Sequence, residues 1–148
     1  MCIRDRDLEG IKAVIDATEL FPSEYLDDMF SGDSNPEAEQ EFWLTYDDNG
    51  VQAVAYCAPE RMTNGTWNLL LIAVHPDRQR EGIGRLLMSR VESILKKLGI
   101  RVLLVETSGT DKFVRTRSFY EQIGYETEAC IRDYYDAGDD KIVFRKAL

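Results

Sequence analysis

The stretch that decides the fold runs from Leu69 to Leu98, LLLIAVHPDRQREGIGRLLMSRVESILKKL. Its lead-in, Trp67 to Val74, is apolar at consecutive positions from Leu69 onward, the pattern of a central strand covered on both faces. His75-Pro76-Asp77 ends that strand, because proline has no N–H to give a ladder. From Ile83 the apolar residues fall at 83, 86, 87, 91, 94, 95 and 98, which is helical spacing. Glu92 and Lys96 stand as a favourable i,i+4 pair, Lys96 and Lys97 meet the negative end of the helix dipole, and Gly99 supplies the C′ residue.

The segment between strand and helix carries the chemistry. Gln79-Arg80-Glu81-Gly82-Ile83-Gly84 fits the spacing Gln/Arg-x-x-Gly-x-Gly/Ala. Glycines there let backbone approach a ligand closely. The first N–H groups of a helix have no internal partner, and such a terminus takes phosphate or pyrophosphate. Arg78, Arg80, Arg85 and Arg90 outnumber Asp77 and Glu81, so the stretch is locally basic in an acidic chain. A Walker loop is excluded, because Arg85-Leu86 follows Gly84 where Lys-Ser/Thr is required. A dinucleotide fingerprint fits poorly: Leu87 stands in place of the third glycine and Gly82 lies well beyond the strand end, although Glu106 falls about where a ribose-binding acid would. The bland alternative is a helix start with a glycine-rich lead-in and no ligand.

These residues carry a resemblance. AVHPDRQREGIGRLLM resembles motif A of the GNAT superfamily of acyl-CoA-dependent N-acyltransferases. Downstream, Ser118-Phe119-Tyr120-Glu121-Gln122-Ile123-Gly124-Tyr125 resembles the family's motif B, an aromatic-Tyr-Glu-x-x-Gly-Phe/Tyr run. The two occur in the family's order, separated by one helix and one strand. The resemblance covers Val51 to Leu148 well and the N-terminal part by pattern.

Composition is ordinary for a soluble globular protein. The chain has 148 residues, one domain's worth, with 44% hydrophobic and 30% charged residues. No apolar run approaches the ~20 residues that span a bilayer, and no secretory signal is visible, so a cytoplasmic protein with no membrane partner is expected. The net charge of −9 argues against non-specific nucleic-acid binding and favours a cationic or neutral substrate. Cys2, Cys57 and Cys130 have no metal-ligand spacing; reduced thiols and no metal are the expectation. His75, beside Pro76, reads as a loop residue rather than a ligand or base.

Working outward, residues 1–148 read as a single N-acetyltransferase domain. Met1 to Asp5 resembles the translated read-through of a sequencing adapter and is set aside as a scar standing where the family has its first strand. Asp7 to Thr18 reads as a helix with Asp7 as N-cap and Leu8, Ile11, Val14 and Ile15 as its apolar stripe. Ser23 to Phe30 reads as a second helix; Tyr25, Met29 and Phe30 serve packing or, by the resemblance, wall the acceptor site. Ser31 to Gln40 is loop-like. Phe42 to Tyr46 and Val51 to Ala58 form a hairpin about Asp47-Asp48-Asn49-Gly50, and Pro59 to Gly65 turns into the strand ending at Val74. Ile100 to Thr107 is the next strand, parallel to its predecessor because a crossover helix joins them. Phe113 to Ile123 is a helix closed by Gly124, and Tyr125 to Arg132 and Lys141 to Lys146 are the last strands, joined by Asp133 to Asp140. The expected fold is α/β: a mixed, mainly antiparallel sheet of six to seven strands flanked by about four helices. By the resemblance it is splayed between strands four and five, Trp67–Val74 and Ile100–Thr107 when the family's first strand is counted.

The resemblance further implies that acetyl-CoA binds where those strands part. Backbone groups of Ile72, Ala73 and Val74 would hydrogen-bond the pantetheine arm, and Gln79, Arg80, Glu81, Gly82, Ile83, Gly84 and Arg85 would hold the pyrophosphate. Tyr120 matches the tyrosine that protonates the departing thiolate; a phenol with pKa near 10 stays protonated at neutral pH and can do so. The other reading of Tyr120 is a core tyrosine. The strand-four acid of many members is absent, Leu70 standing there, and the family's asparagine ahead of motif B has no match, Phe113 lying near its place. Glu106 is a candidate general base, or a group supporting the base, or equally a surface acid; Glu60 is another candidate. Lys112, Arg115 and Arg117 either contact the 3′-phosphate or face solvent. Asp133-Tyr134-Tyr135 and Gly138-Asp139-Asp140-Lys141 either border the acceptor or form a polar turn. The function implied is acetyl transfer from acetyl-CoA to a primary amine of a small molecule or peptide in a ternary complex, by a monomer or homodimer. The alternatives are a non-catalytic CoA-binding regulatory domain and an interaction domain without cofactor.

Overall fold

The computed structural model describes residues 5–19, 22–26 and 41–148. In chain order the elements are helix α1 Asp5–Thr18, strands β1 Phe42–Asp47, β2 Val51–Pro59 and β3 Thr66–Val74, helix α2 Ile83–Lys97, strand β4 Val102–Ser108, helix α3 Val114–Gln122, and strands β5 Glu126–Asp136 and β6 Asp139–Ala147. The strands lie in the order β1-β2-β3-β4-β6-β5, a six-stranded, mostly antiparallel open sheet. β3 and β4 are its parallel pair. The chain groups into two compact units, Met1–Ala58 with Leu71–Ser93, and Pro59–Leu70 with Ile94–Leu148.

In the first unit α1 lays its apolar stripe on the hairpin. Ile11, Val14, Ile15 and Val54 are fully buried in one core cluster with Leu71, and the rings of Trp43 and Tyr56 stack at 4.2 Å. The fit is closest at Gly10, where an added Cβ would lie 2.8 Å from Val51 Cβ. Alanine would gain about 1 kcal/mol of helix propensity. It would also force α1 from the strand, and overpacking of this kind costs about 1–3 kcal/mol. Gly10→Ala is therefore expected to lower Tm by a few degrees; a higher Tm by calorimetry would show that α1 shifts freely.

Asp7 is not the N-cap. The helix already begins at Asp5, which places Asp7 in its first turn, where the side chain is buried. Of the expected second helix, Tyr25 and Leu26 are helical, Leu26 buried and Tyr25 exposed; Met29, Phe30, the expected loop through Gln40 and residues Met1–Arg4 of the expected scar lie outside the described residues. The hairpin turn forms as expected. Asn49 has φ 57°, and the Gly50 amide donates to Asp47 Oδ1. On α2, Ile83, Leu87, Val91 and Leu95 are buried as the spacing predicts, whereas Leu86 and Leu98 are exposed and Met88 is buried instead. The helix closes with Gly99 N–H on Lys96 O and Ile100 N–H on Leu95 O.

In the second unit the β3–β4 ladder runs from Thr66↔Val102 to Leu69↔Val105, while β3 continues to Val74 and β4 to Ser108. β4 then pairs antiparallel with β6 along its whole length, Val102↔Ala147 to Ser108↔Lys141. Side chains alternate across such a sheet. Leu103, Val105 and Phe144 therefore share one face, which α3 covers with Tyr120; all four are buried. The last hairpin is longer than its sequence suggests: β5 and β6 extend to Asp136 and back from Asp139, so Tyr134, Tyr135, Asp139 and Asp140 are strand residues rather than loop. Register shifts on β5 and φ 52° at Asp133 let an aspartate-rich segment stay in the ladder.

Candidate active site

Two arrangements of polar groups carry chemistry, one in each unit. The first is the loop from β3 to α2. Pro76–Arg78 makes a single 3₁₀ turn, and His75 caps it by accepting the Asp77 amide on Nδ1 at 3.2 Å. His75 is thus a structural loop residue. Gln79 Nε2 donates to Val74 O at 3.1 Å, which folds the loop back on the strand end. Arg78 is held by Glu81 and by Asp48 at 3.0 Å, and both carboxylates keep its pKa above the ordinary value. Its charge is already answered. Arg80 and Arg85 are exposed, and supply the loop's positive potential. Arg80 with φ 69° and Gly82 with φ 84° turn the backbone into α2, whose first ladder bond is Leu86 N–H to Gly82 O. The amides of Ile83, Gly84 and Arg85 precede it and have no carbonyl one turn back within the helix. Space beside Gly82 is open: an added Cβ would meet nothing within 4 Å. A positive helix end, backbone amides and open space beside a glycine together fit a pyrophosphate. Ala73 is buried, Ile72 and Val74 half-buried, and the Val74 carbonyl already accepts one bond from Gln79.

The second arrangement lies on the face of β3, β4 and β6 opposite Tyr120. Asn68 pairs with Leu104, and Glu106 follows two residues on, so both point to one face, with Lys141 two residues from Glu106's partner Val143. Asn68 Nδ2 donates to Glu60 Oε1 at 2.8 Å and to Glu106 Oε1 at 3.1 Å. Lys141 Nζ meets Glu106 Oε2 at 2.8 Å and lies 4.1 Å from the centroid of the Tyr134 ring. Burial alone would lower the Lys141 pKa; Glu106 and Tyr134 outweigh it and hold the ammonium above its ordinary 10.5. The stability that this shift of Lys141 contributes is therefore present below 10.5 and is lost as pH rises through the folded value. Burial, then Glu106, pushes the Tyr135 phenol up as well, so it stays protonated at neutral pH. Leu70, on this same face where many relatives would have an acid, is half exposed. β3 is therefore not covered on both faces.

Sequence reasoning named Glu106, Glu60 and Lys141 separately and missed Asn68, which joins them. Its signal was a polar residue at the head of an apolar run, Asn68 before Leu69-Leu70-Leu71. Tyr120 is buried in an aromatic group, 5.4 Å from Phe119, 5.8 Å from Tyr125 and 5.5 Å from Phe144 between ring centroids. Glu106 and Tyr120 thus stand on opposite faces of the β4–β6 pair.

Several other candidates have partners within the chain. Arg117 Nη1 donates to the carbonyls of Ser108 and Thr110, both at 2.8 Å, so it ties the loop before α3. Lys112 lies over the Phe113 ring at 5.7 Å, and Arg115 is exposed. Asp133 accepts the Gly138 amide, Asp140 accepts the Asp133 amide, and Asp139 accepts Ser108 Oγ, which makes these acids turn and hairpin residues. Cys57 is buried, and its thiol is pushed up by desolvation; Cys130 is exposed. Among the described residues no group of His, Cys, Asp and Glu is arranged to hold a metal, and no helix is long and apolar enough to cross a membrane.

Comparison with known proteins identifies the family. Residues 38–127 match the family model of the acetyltransferase (GNAT) domain. The [ribosomal protein bS18]-alanine N-acetyltransferase of Escherichia coli is 33% identical over 73 residues, 49% of this chain and 48% of that enzyme. The chain thus aligns with about half the length of the curated relatives it matches. A structure from Desulfovibrio desulfuricans, described as an acetyltransferase of the GNAT family, superposes with a TM-score of 0.87 and 32% identity over 99% of this chain and 95% of its own. An aminoglycoside 6′-N-acetyltransferase complexed with coenzyme A shares the fold with a TM-score of 0.76 at 17% identity, covering 99% of this chain and 95% of that one. This chain belongs to the GNAT acetyltransferase family.

Proposed function

We propose that the chain is one catalytic domain that transfers an acetyl group from acetyl-CoA to a primary amine of a small molecule or peptide, by direct attack in a ternary complex. The observation that carries this reading is the placement of Glu106 and Tyr120 on opposite faces of the β4–β6 pair. Direct transfer needs a base towards the attacking amine and an acid towards the departing sulfur, and these approach a thioester carbonyl from different sides. Glu106 takes the proton that the acceptor nitrogen must lose. Tyr120 gives one to the thiolate of CoA. The Gln79–Arg85 loop takes the pyrophosphate on its amides, with Arg80 and Arg85 as counter-charges. No metal enters this scheme, and the chain works in the cytoplasm beside its acetyl-CoA supply.

The E. coli relative, named for acting on an alanine of a ribosomal protein, makes an alanine α-amine the first acceptor to try. Incubation of the chain with acetyl-CoA and a peptide beginning with alanine should yield the acetylated peptide and free CoA in equal amounts by mass spectrometry. Acetyl-CoA binding without transfer to peptides, polyamines, aminoglycosides or amino acids would favour the second reading, a CoA-binding regulatory domain. Leu70 in place of a strand acid is the observation behind that rival.

A further inference from the structure

We infer that Arg78 is a positioning residue for the acyl donor: by holding Glu81 and Asp48 at once, it fixes the shape of the Gln79–Arg85 loop and engages a carboxylate that would otherwise repel the donor's phosphates. The inference rests on the donor reading of that loop and names the residue that sets its shape. The loop needs holding. Arg80 at φ 69° and Gly82 at φ 84° stand in the left-handed region, which an L side chain such as that of Arg80 enters at a cost. Side chains anchor the backbone on either side of Arg80. Gln79 Nε2 donates to Val74 O at 3.1 Å, and Glu81 accepts from Arg78 Nε. At the other end of the guanidinium, Nη2 donates to Asp48 Oδ2 at 3.0 Å. Asp48 lies in the β1–β2 turn, which is closed by its own bonds, Asp48 N–H to Gly50 O at 3.0 Å and Gly50 N–H to Asp47 Oδ1 at 3.1 Å. A guanidinium can span two carboxylates because its donors form a rigid planar fork. Arg78 thus ties the strained loop to a closed turn.

The triad contributes little to folding. The Asp48 and Glu81 side chains are 49% and 50% exposed, and ion pairs at such sites add little stability. Its consequence lies in charge and shape at the loop. Glu81 directly precedes Gly82, inside the stretch whose amides take the pyrophosphate. Released from Arg78, its carboxylate would repel the phosphates. A loop without that anchor would also have to be ordered on binding, a cost that a preformed loop avoids. With Arg78 in place, the exposed Arg80 and Arg85 act as counter-charges with no free acid between them.

Binding to the full chain tests this without any turnover. The probes are acetyl-CoA, followed by calorimetry, and S-acetylpantetheine, which has no pyrophosphate, followed by NMR. Arg78→Met should weaken acetyl-CoA roughly tenfold and change S-acetylpantetheine less than about twofold. The same substitution in a Glu81→Gln chain should cost at least about threefold less, because no carboxylate remains there for Arg78 to hold. Circular dichroism melts should place Arg78→Met within a few degrees of the unaltered chain. Unchanged acetyl-CoA affinity, equal weakening of both probes, or a lost fold in Arg78→Met would overturn the proposal. So would the same loss with and without the Glu81 carboxylate, which would make Arg78 a direct contact of the phosphates. Failure of acetyl-CoA to bind the unaltered chain is a separate result: it would defeat the donor reading, and the proposal with it.

Discussion

Tyr120→Phe should lower kcat by about a hundredfold, the lower range for loss of a general acid, while the Kd for acetyl-CoA changes less than about twofold. The separation follows from where the side chain sits. Tyr120 is 2% exposed and packs on Phe119, Tyr125 and Phe144 through its ring, which phenylalanine keeps. The hydroxyl alone is lost. If that hydroxyl protonates the departing thiolate, the deficit lies in the chemical step and not in cofactor affinity, so kcat and kcat/KM fall together. A core tyrosine with no chemical role would lose at most some stability and keep its turnover. Equal kcat in a folded Tyr120→Phe chain would remove Tyr120 from the mechanism.

Gly82→Asp should weaken acetyl-CoA binding on the order of a hundredfold. Two effects act together. At φ 84° an L side chain is strained, at about 1–3 kcal/mol. The open space beside Gly82 then receives a carboxylate where the pyrophosphate would lie, and like charges about 4 Å apart at a protein surface repel by up to about 4 kcal/mol before screening. Gly82→Ala separates the two, because it keeps the strain and omits the charge; its affinity should fall by a smaller factor. Calorimetry on both variants checks this, with circular dichroism melts to show that the fold is retained. Unchanged affinity in Gly82→Asp would refute the pyrophosphate assignment.

Much of the fold was legible where a local rule dominates. The Leu69–Val74 run, the break at Pro76 and the period of α2 fixed a strand, loop and crossover helix, and the parallel β3–β4 pair followed from the crossover. The Asp47–Gly50 turn was legible for the same reason. What was not legible depends on partners distant in sequence. Aspartates at 133, 136, 139 and 140 read as a loop, yet β6 pairing and the Asp133–Gly138 and Asp140–Asp133 bonds hold them in an extended hairpin. Leu86 and Leu98 satisfy helical spacing but lie at the edge of the buried stripe, which takes Met88 instead.

The site divides in the same way. The glycine loop and Tyr120 could be named from their motifs. Asn68 could not, because an asparagine heading an apolar strand gives no sign that it will bridge Glu60 and Glu106, the latter 38 residues away in sequence. Arg78 and Arg117 looked available to phosphate by composition, and the fold uses both on internal partners, Asp48 and Glu81 in one case and two carbonyls in the other. Local charge counts overstate the positive field of a loop whose acids fold back on its arginines.

The central claim is that this chain binds acetyl-CoA as its acyl donor. Calorimetric titration of the full chain with acetyl-CoA, with NADH and ATP as controls, tests it most directly. The account predicts saturable binding of acetyl-CoA at one site per chain, with neither control binding comparably. A folded chain, shown by its circular dichroism melt, that binds none of the three, or binds NADH or ATP as well as acetyl-CoA, would contradict it.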